Sequence, residues 1–207
     1  MQVFGVLSGK GGAGKSTFAL NLARFLSLQK KNNKTVLIDC DPQGTASFWA
    51  ETRPTAPGFD VAKYTTPNLH EHIADMANGY DNVVIDGPPR DTALFRSATL
   101  ACDKILIPLV TSAPDLWSTL DFLEIVKNAG KLPVCRVVLN RVRPRTTLAK
   151  EFPELAKETL NIPFLKHFAG DRVAYAESIS TGRTVFDAPV NKACFEEMTG
   201  IFKEFLK

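Results

Sequence analysis

Apolar residues along this chain of 207 residues fall into two alternating patterns. Short, nearly continuous apolar runs occur at Val3–Ser8, Thr35–Asp39, Asn82–Asp86, Lys104–Pro108 and Val134–Asn140. Between them lie the stretches 16–29, 68–78, 92–101, 115–129 and 147–160, whose composition and apolar spacing suit helices. Runs that are apolar throughout, instead of alternating with polar residues, suit strands buried on both faces. The pattern therefore predicts an α/β fold, a mostly parallel twisted sheet with helices on both faces and right-handed crossovers. The region from Thr52 to Pro67 holds three prolines and a glycine and reads as an irregular connection with one short strand at Val61–Tyr64. In the last segment, Phe195, Met198, Ile201, Phe202 and Phe205 recur at helical spacing and predict a helix that closes the domain. No repeat, low-complexity tract or linker interrupts the chain, so residues 1–207 are expected to form a single domain.

The boundary between the first strand and the first helix carries the chemistry. Gly9, Lys10, Gly11, Gly12, Ala13, Gly14, Lys15, Ser16 and Thr17 fit the phosphate-loop pattern G-x-x-x-x-G-K-[ST] in the strand–loop–helix context it requires. The glycines let backbone N–H groups approach a phosphate with no Cβ in the way, and the following helix points its positive end at the anion. Lys15 is expected at the β- and γ-phosphates of ATP, and the Ser16 hydroxyl on Mg²⁺. Lys10 is a second lysine in the same loop. It either adds to the neutralisation of the same phosphate tail or reaches into the site of a facing copy.

Ligands of open α/β sheets sit beyond the carboxyl ends of the strands. Here those ends carry Asp39 and Asp41, two carboxylates suited to a magnesium water shell and to orienting an attacking water. Asp86 ends an apolar strand, the arrangement that supports Mg²⁺ in phosphate-loop proteins. Asn140 could hydrogen-bond a nucleobase edge, with Arg141 beside it.

Composition adds limits. No stretch is apolar and long enough for a transmembrane helix, and the immediate start in a strand leaves no signal peptide to expect. Cys40, Cys102, Cys135 and Cys194 are widely spaced and read as reduced thiols of a cytoplasmic protein. Residues 1–126 carry 11 Lys and Arg against 13 Asp and Glu, a net of −2; residues 127–207 carry 14 against 9, a net of +5. The basic C-terminal third suggests a polyanion surface, with Arg143, Arg145, Lys166, Arg172 and Arg183 as candidate DNA contacts. No aromatic interleaving suggests base stacking, so such binding would be to phosphates.

The segments KGGAGKST (10–17), LIDCDPQG (37–44), VVIDGPP (83–89) and ISTGRTV (179–185) together resemble the deviant Walker A ATPases of the ParA/MinD superfamily, above all the small plasmid-type ParA partition proteins. The resemblance implies a homodimer with ATP sandwiched between two subunits and Lys10 crossing to the partner's phosphates. Asp41 would then position the water, and Asp39 and Asp86 would hold the magnesium shell. It further implies nonspecific binding of double-stranded DNA in the ATP state, a nucleoid location, and slow hydrolysis stimulated by a centromere-binding or cargo-adaptor protein. Two relatives in the same superfamily are the alternatives. A membrane-positioned MinD-like ATPase would need a basic amphipathic tail, whereas Glu196, Glu197 and Glu204 offset the lysines of the last segment. An iron–sulfur reductase would need cysteines in exposed glycine-rich loops, and Cys102 and Cys135 lie in apolar surroundings.

Overall fold

The computed structural model describes residues 1–30, 33–53, 58–88 and 93–207. Pro89 and the expected start of a helix at 92 lie outside them. Six strands, β1 (Gln2–Val6), β2 (Thr35–Asp39), β3 (Asp60–Lys63), β4 (Asn82–Asp86), β5 (Lys104–Val110) and β6 (Cys135–Asn140), form one sheet in the order β3-β2-β4-β1-β5-β6. Every pairing is parallel. Eight α-helices are present among the described residues: α1 (Lys15–Ser27), α2 (Thr45–Thr52), α3 (Leu69–Met76), α4 (Ala93–Ala101), α5 (Ala113–Asn128), α6 (Thr147–Leu160), α7 (Val173–Ser180) and α8 (Lys192–Phe205).

The continuous apolar runs have the cause expected of them. In β4, Val83 and Ile85 enter a core shared with α3, α4, α5 and α6, while Val84 between them enters a second core on the opposite face. In β5, Ile105, Ile107 and Leu109 face the first core and Leu106 the second. A parallel strand covered on both sides has no position left for a polar alternation. The second core is built by α1, α2, α7 and α8 and is rich in aromatic contacts, with Phe202 packed on both Phe18 and Phe25 of α1. Helix α8 thus uses its apolar face inside the domain. Lys104 fastens its end, donating from Nζ to the carbonyls of Phe205 at 3.4 Å and Leu206 at 2.9 Å.

Two helices have no counterpart in the sequence reading. α2 starts from Gly44 and α7 from Arg172, neither with a side-chain N-cap, and they bury only Ala46 and Trp49, and Tyr175, respectively. Such short, weakly amphipathic segments give no periodic signal; tertiary packing decides them. The 179–185 segment is largely structural. The Trp49 indole donates to the Arg183 carbonyl at 3.2 Å, and the Val185 N–H donates to buried Asn21 on α1 at 2.9 Å.

Gly182 is the tightest point of that segment. Its φ is +67°, and a Cβ there would lie 2.7 Å from the Arg53 nitrogen and 2.8 Å from the Thr52 carbonyl oxygen. Gly79 has a similar φ of +86° with open space around it. We expect Gly182→Ala to lower the free energy of unfolding by about 3 kcal/mol and Gly79→Ala by about 1 kcal/mol, the difference being the clash. Urea titrations of both variants measure this; equal losses would show that the contact with α2 yields freely.

Candidate nucleotide site

The loop between β1 and α1 is pressed against its surroundings at both ends and open in the middle. A Cβ on Gly9 would meet the Ser118 carbonyl of α5 and, at 2.9 Å, Phe122 Cβ. Gly14 has φ +100° and would meet Asn140 Nδ2 at 2.5 Å. At Gly11 and Gly12 a Cβ would find nothing within 4 Å. Gly14 is also the N-cap of α1, with no side chain capping the first turn and no acidic residue in it. The result is a helix N-terminus whose N–H groups face an open, glycine-lined approach, which is an anion site. Ala13 is buried and its carbonyl accepts from Asn140 Nδ2 at 2.8 Å. Lys15 is 7% exposed, its Nζ 3.5 Å from the Lys10 carbonyl, which also accepts from the Ser8 hydroxyl at 3.0 Å. The Lys10 ammonium itself points elsewhere, to Asp115 on α5 at 2.8 Å.

The strand ends bring the carboxylates to this loop. Parallel register sets Asp39 of β2 beside Asp86 of β4, and Asp86 beside Val6 at the end of β1. Both are fully buried, but they differ in what they touch. Asp39 accepts from the Asp41 N–H at 3.1 Å, the Ser47 N–H at 2.8 Å and the Ser47 hydroxyl at 2.7 Å. These contacts make it an anchor for the 41–47 turn and the start of α2. Asp41 in turn accepts from the Gln43 N–H at 2.9 Å and sits half-buried above the strand end.

Asp86 has no hydrogen-bond partner for either carboxylate oxygen among the described residues. Burial pushes its acid up to about 7. The neighbouring Ser16 hydroxyl and Lys15 pull it down, and Asp39 and Asp41 push it up. An unpartnered buried carboxylate costs folding energy unless something cationic joins it. Its oxygens beside the Ser16 hydroxyl form a hard, all-oxygen donor set, and that set fits Mg²⁺.

Next to the loop a cleft of about 340 Å³ is lined by Gly14, Thr17, Asn140, Arg141, Arg172 and Tyr175, among others. Asn140 is 8% exposed and its amide holds the loop: besides the bond to Ala13, its Oδ1 accepts from the Arg141 N–H at 2.9 Å. Arg141 is exposed with φ +53°. The far wall hangs on Glu197 of α8, which sequence reading did not single out for this role. Its carboxylate accepts from the Gly170 N–H at 3.0 Å, from Arg172 Nε at 2.9 Å and Nη2 at 2.7 Å, and from the Tyr175 hydroxyl at 2.6 Å. Burial opposes its ionisation, but these bonds outweigh it and hold Glu197 below the usual carboxylate range.

The candidate DNA contacts divide. Arg172 is tied to Glu197, and Arg143 to Asp171 at 2.7 Å. Arg145 and Lys166 are exposed and form no ion pair with the described residues, and Arg183 is half-buried. The four cysteines are buried free thiols, and burial pushes Cys135 up to about 12. Among the described residues no group of three or more acidic, His or Cys side chains is arranged to hold a metal. Asp115 was also missed, although Ser112-x-x-Asp115 before a helix is a cap pattern legible in sequence.

Comparison with known proteins agrees with the fold. The chain is 40% identical over 147 residues to the maintenance of carboxysome distribution protein A of Gloeobacter kilaueensis, covering 70% of this chain and 65% of the relative, just under two thirds of its length. It is 29% identical over 209 residues to the protein of the same name from Halothiobacillus neapolitanus, covering 95% of this chain and 93% of the relative. Among solved structures, an ATP complex of McdA from Cyanothece matches with a TM-score of 0.77 at 20% identity, covering 100% of this chain and 96% of that one. Residues 4–185 match the CobQ/CobB/MinD/ParA nucleotide binding domain, and the chain belongs to that family.

Proposed function

We propose that the protein is a positioning ATPase. With Mg²⁺ and ATP two copies close face to face, the closed dimer holds duplex DNA without sequence preference, and a partner protein on the cargo triggers hydrolysis and release. The observation that carries this reading is the buried, unpartnered Asp86 beside Lys15 and Ser16 at the mouth of an uncapped helix. A protein that bound no cation there would have no use for that charge.

In this reading the N–H groups of residues 11–17 and the Lys15 ammonium take the β- and γ-phosphates, and Lys10 crosses to the second copy. Ser16 and Asp86 hold Mg²⁺, which when bound supplies charge neutralisation on the phosphates. Asp39 keeps the 41–47 turn in place, so that Asp41 can orient the attacking water. Catalysis of this kind is positioning and electrostatics, so a partner that fixes a loop or adds a cation accelerates it. The cleft beside Asn140 and Arg141 takes the base. The names of the two relatives favour a protein compartment as cargo over a replicon. A cytoplasmic, nucleoid-bound location follows. A membrane location is disfavoured because α8 has its apolar face in the core, not free to enter a bilayer. No helix among the described residues is long and apolar enough to cross a membrane.

Lys15→Ala should reduce ATP hydrolysis by about a hundredfold or more. A purified variant turning over at the wild-type rate would remove the loop from the mechanism.

Asp86 generates a pH prediction. Its folded-state acid is raised from 3.8 to about 7, so the folded protein binds the extra proton between these values and this group's contribution to stability falls as pH rises through 7. Without nucleotide, the wild type should be less stable at pH 8 than at pH 6 by about 1.4 kcal/mol, and should melt lower accordingly. Asp86→Asn should flatten that difference and be the more stable protein at pH 8. Magnesium with ATP should restore the wild type and not the variant. Parallel melting curves for the two proteins would contradict the assignment.

DNA binding should appear with a nonhydrolysable ATP analogue, be absent with ADP, and weaken more than about tenfold between 50 and 200 mM salt. Mobility shifts with the same weak affinity in every nucleotide state would count against the switch.

A further inference from the structure

Asn140 ends β6, and β5 lies between β6 and β1 in the sheet. The phosphate loop leaves the end of β1, so a contact between the loop and Asn140 reaches across two strand positions. Two such contacts meet at one peptide unit. Asn140 Nδ2 donates to the Ala13 carbonyl at 2.8 Å, and the same nitrogen lies so near Gly14 that a Cβ there would come within 2.5 Å of it.

The amide has a single workable orientation. Its Oδ1 accepts from the Arg141 N–H at 2.9 Å, while Nδ2 faces a carbonyl, which can only accept. Exchanging the two atoms would set oxygen against oxygen and N–H against N–H. At 8% exposure the side chain is held at both ends with little access to solvent.

A loop that offers its N–H groups to an anion turns its carbonyls away, and each buried carbonyl then needs a donor elsewhere. The Lys10 carbonyl finds its donors close by, the Ser8 hydroxyl at 3.0 Å and the Lys15 ammonium at 3.5 Å. The carbonyl of Ala13, a residue 2% exposed, has Asn140 as its one donor among the described residues. Peptide geometry carries this contact to the phosphate side. The Ala13 carbonyl and the Gly14 N–H lie in one plane and point in opposite directions. A carbonyl pinned on Asn140 therefore aims the Gly14 N–H away from β6, immediately before Lys15 and the first turn of α1. Gly14, at φ +100°, has no side chain of its own to hold that plane.

We propose that Asn140 is a positioning residue of the phosphate loop. Through the Ala13 carbonyl it fixes the plane of the Ala13–Gly14 peptide, and this strengthens the hold on phosphate whether or not a base is attached. The phosphate half rests on the function proposed above; the clamp on the loop stands without it. The role differs from the one expected from sequence, in which the amide serves a nucleobase edge. The amide keeps one N–H and one lone pair beyond its two bonds, so experiment separates the two roles.

The test uses the full chain with Asn140→Ala, and with Asn140→Val as a second variant whose branched side chain suits a strand end. The probe is tripolyphosphate with Mg²⁺, which carries no base, titrated calorimetrically beside ATP with Mg²⁺. Losing one buried hydrogen bond to the loop should weaken both by a similar factor, about tenfold. Unchanged affinity for tripolyphosphate in the folded variants, with ATP alone weakened, would overturn the proposal and leave Asn140 a base contact. Melting temperatures are recorded alongside. A role confined to folding would lower the melt and leave both dissociation constants of the folded protein at wild-type values, which would equally overturn it. The second readout is amide hydrogen exchange in the nucleotide-free protein. The Phe18 N–H donates to the Gly14 carbonyl at 3.0 Å and reports on the loop. Exchange several-fold faster at Phe18, with residues 83–85 of β4 unchanged, supports the clamp; wild-type exchange at Phe18 in both variants overturns it. A wild type that binds neither tripolyphosphate nor ATP would sink the nucleotide reading, and hydrogen exchange would still decide the clamp.

Discussion

A carboxylate without a partner, buried between strands, is the constraint around which this molecule is arranged. Strand β4 lies between β2 and β1, so Asp86 at its end has Asp39 on one side and the exit of β1 on the other. The two carboxyl groups repel, and burial disfavours charge on either. The fold resolves the conflict unequally. Asp39 receives three hydrogen bonds from the turn it organises, while Asp86 is left to Ser16 and Lys15. Satisfying both would make a more stable apo protein and a worse cation site, since a carboxylate already bonded has less to gain from a metal.

The same economy governs the cations. In the absence of phosphate neither loop lysine is left idle: Lys15 leans on a backbone carbonyl and Lys10 on Asp115. Both contacts are weaker than a bond to phosphate, so the loop keeps its shape without giving up its affinity. The helix that carries Asp115 also supports Gly9 through Ser118 and Phe122. Movements of the phosphate loop and of α5 are therefore coupled by contact, and no longer path is required between them.

The strands were legible because a parallel, doubly covered sheet forces uninterrupted apolar runs, and the phosphate loop was legible because its glycine and lysine spacing has few other uses. The short strand read at Val61–Tyr64 corresponds to β3, displaced by one residue. What could not be read depended on long-range pairing. Asp39 and Asp86 look alike in sequence, each ending an apolar run, and only the presence of Ser47 beside one of them separates an anchor from an orphan. Arg143 and Arg172 looked like free cations until Asp171 and Glu197 were found beside them. Helices α2 and α7 are held by the elements they meet and carry little pattern of their own.

Helix α8 shows how far the site's support extends. Its Phe202 lies against Phe18 and Phe25 of α1, the helix whose first turn faces the phosphate loop. Eight residues before Phe205, Glu197 holds Gly170, Arg172 and Tyr175, and with them one wall of the cleft beside Asn140. One C-terminal helix therefore fixes both the axis that points at the glycine-rich loop and the wall that flanks the cleft beside Asn140. A shift of α8 along its length would move the two together, because a packed core transmits displacement instead of absorbing it. The last turn of α8 is in turn held by Lys104 at the start of β5. The carboxyl-terminal segment is thus part of the site's frame, although it contributes no residue to the phosphate loop.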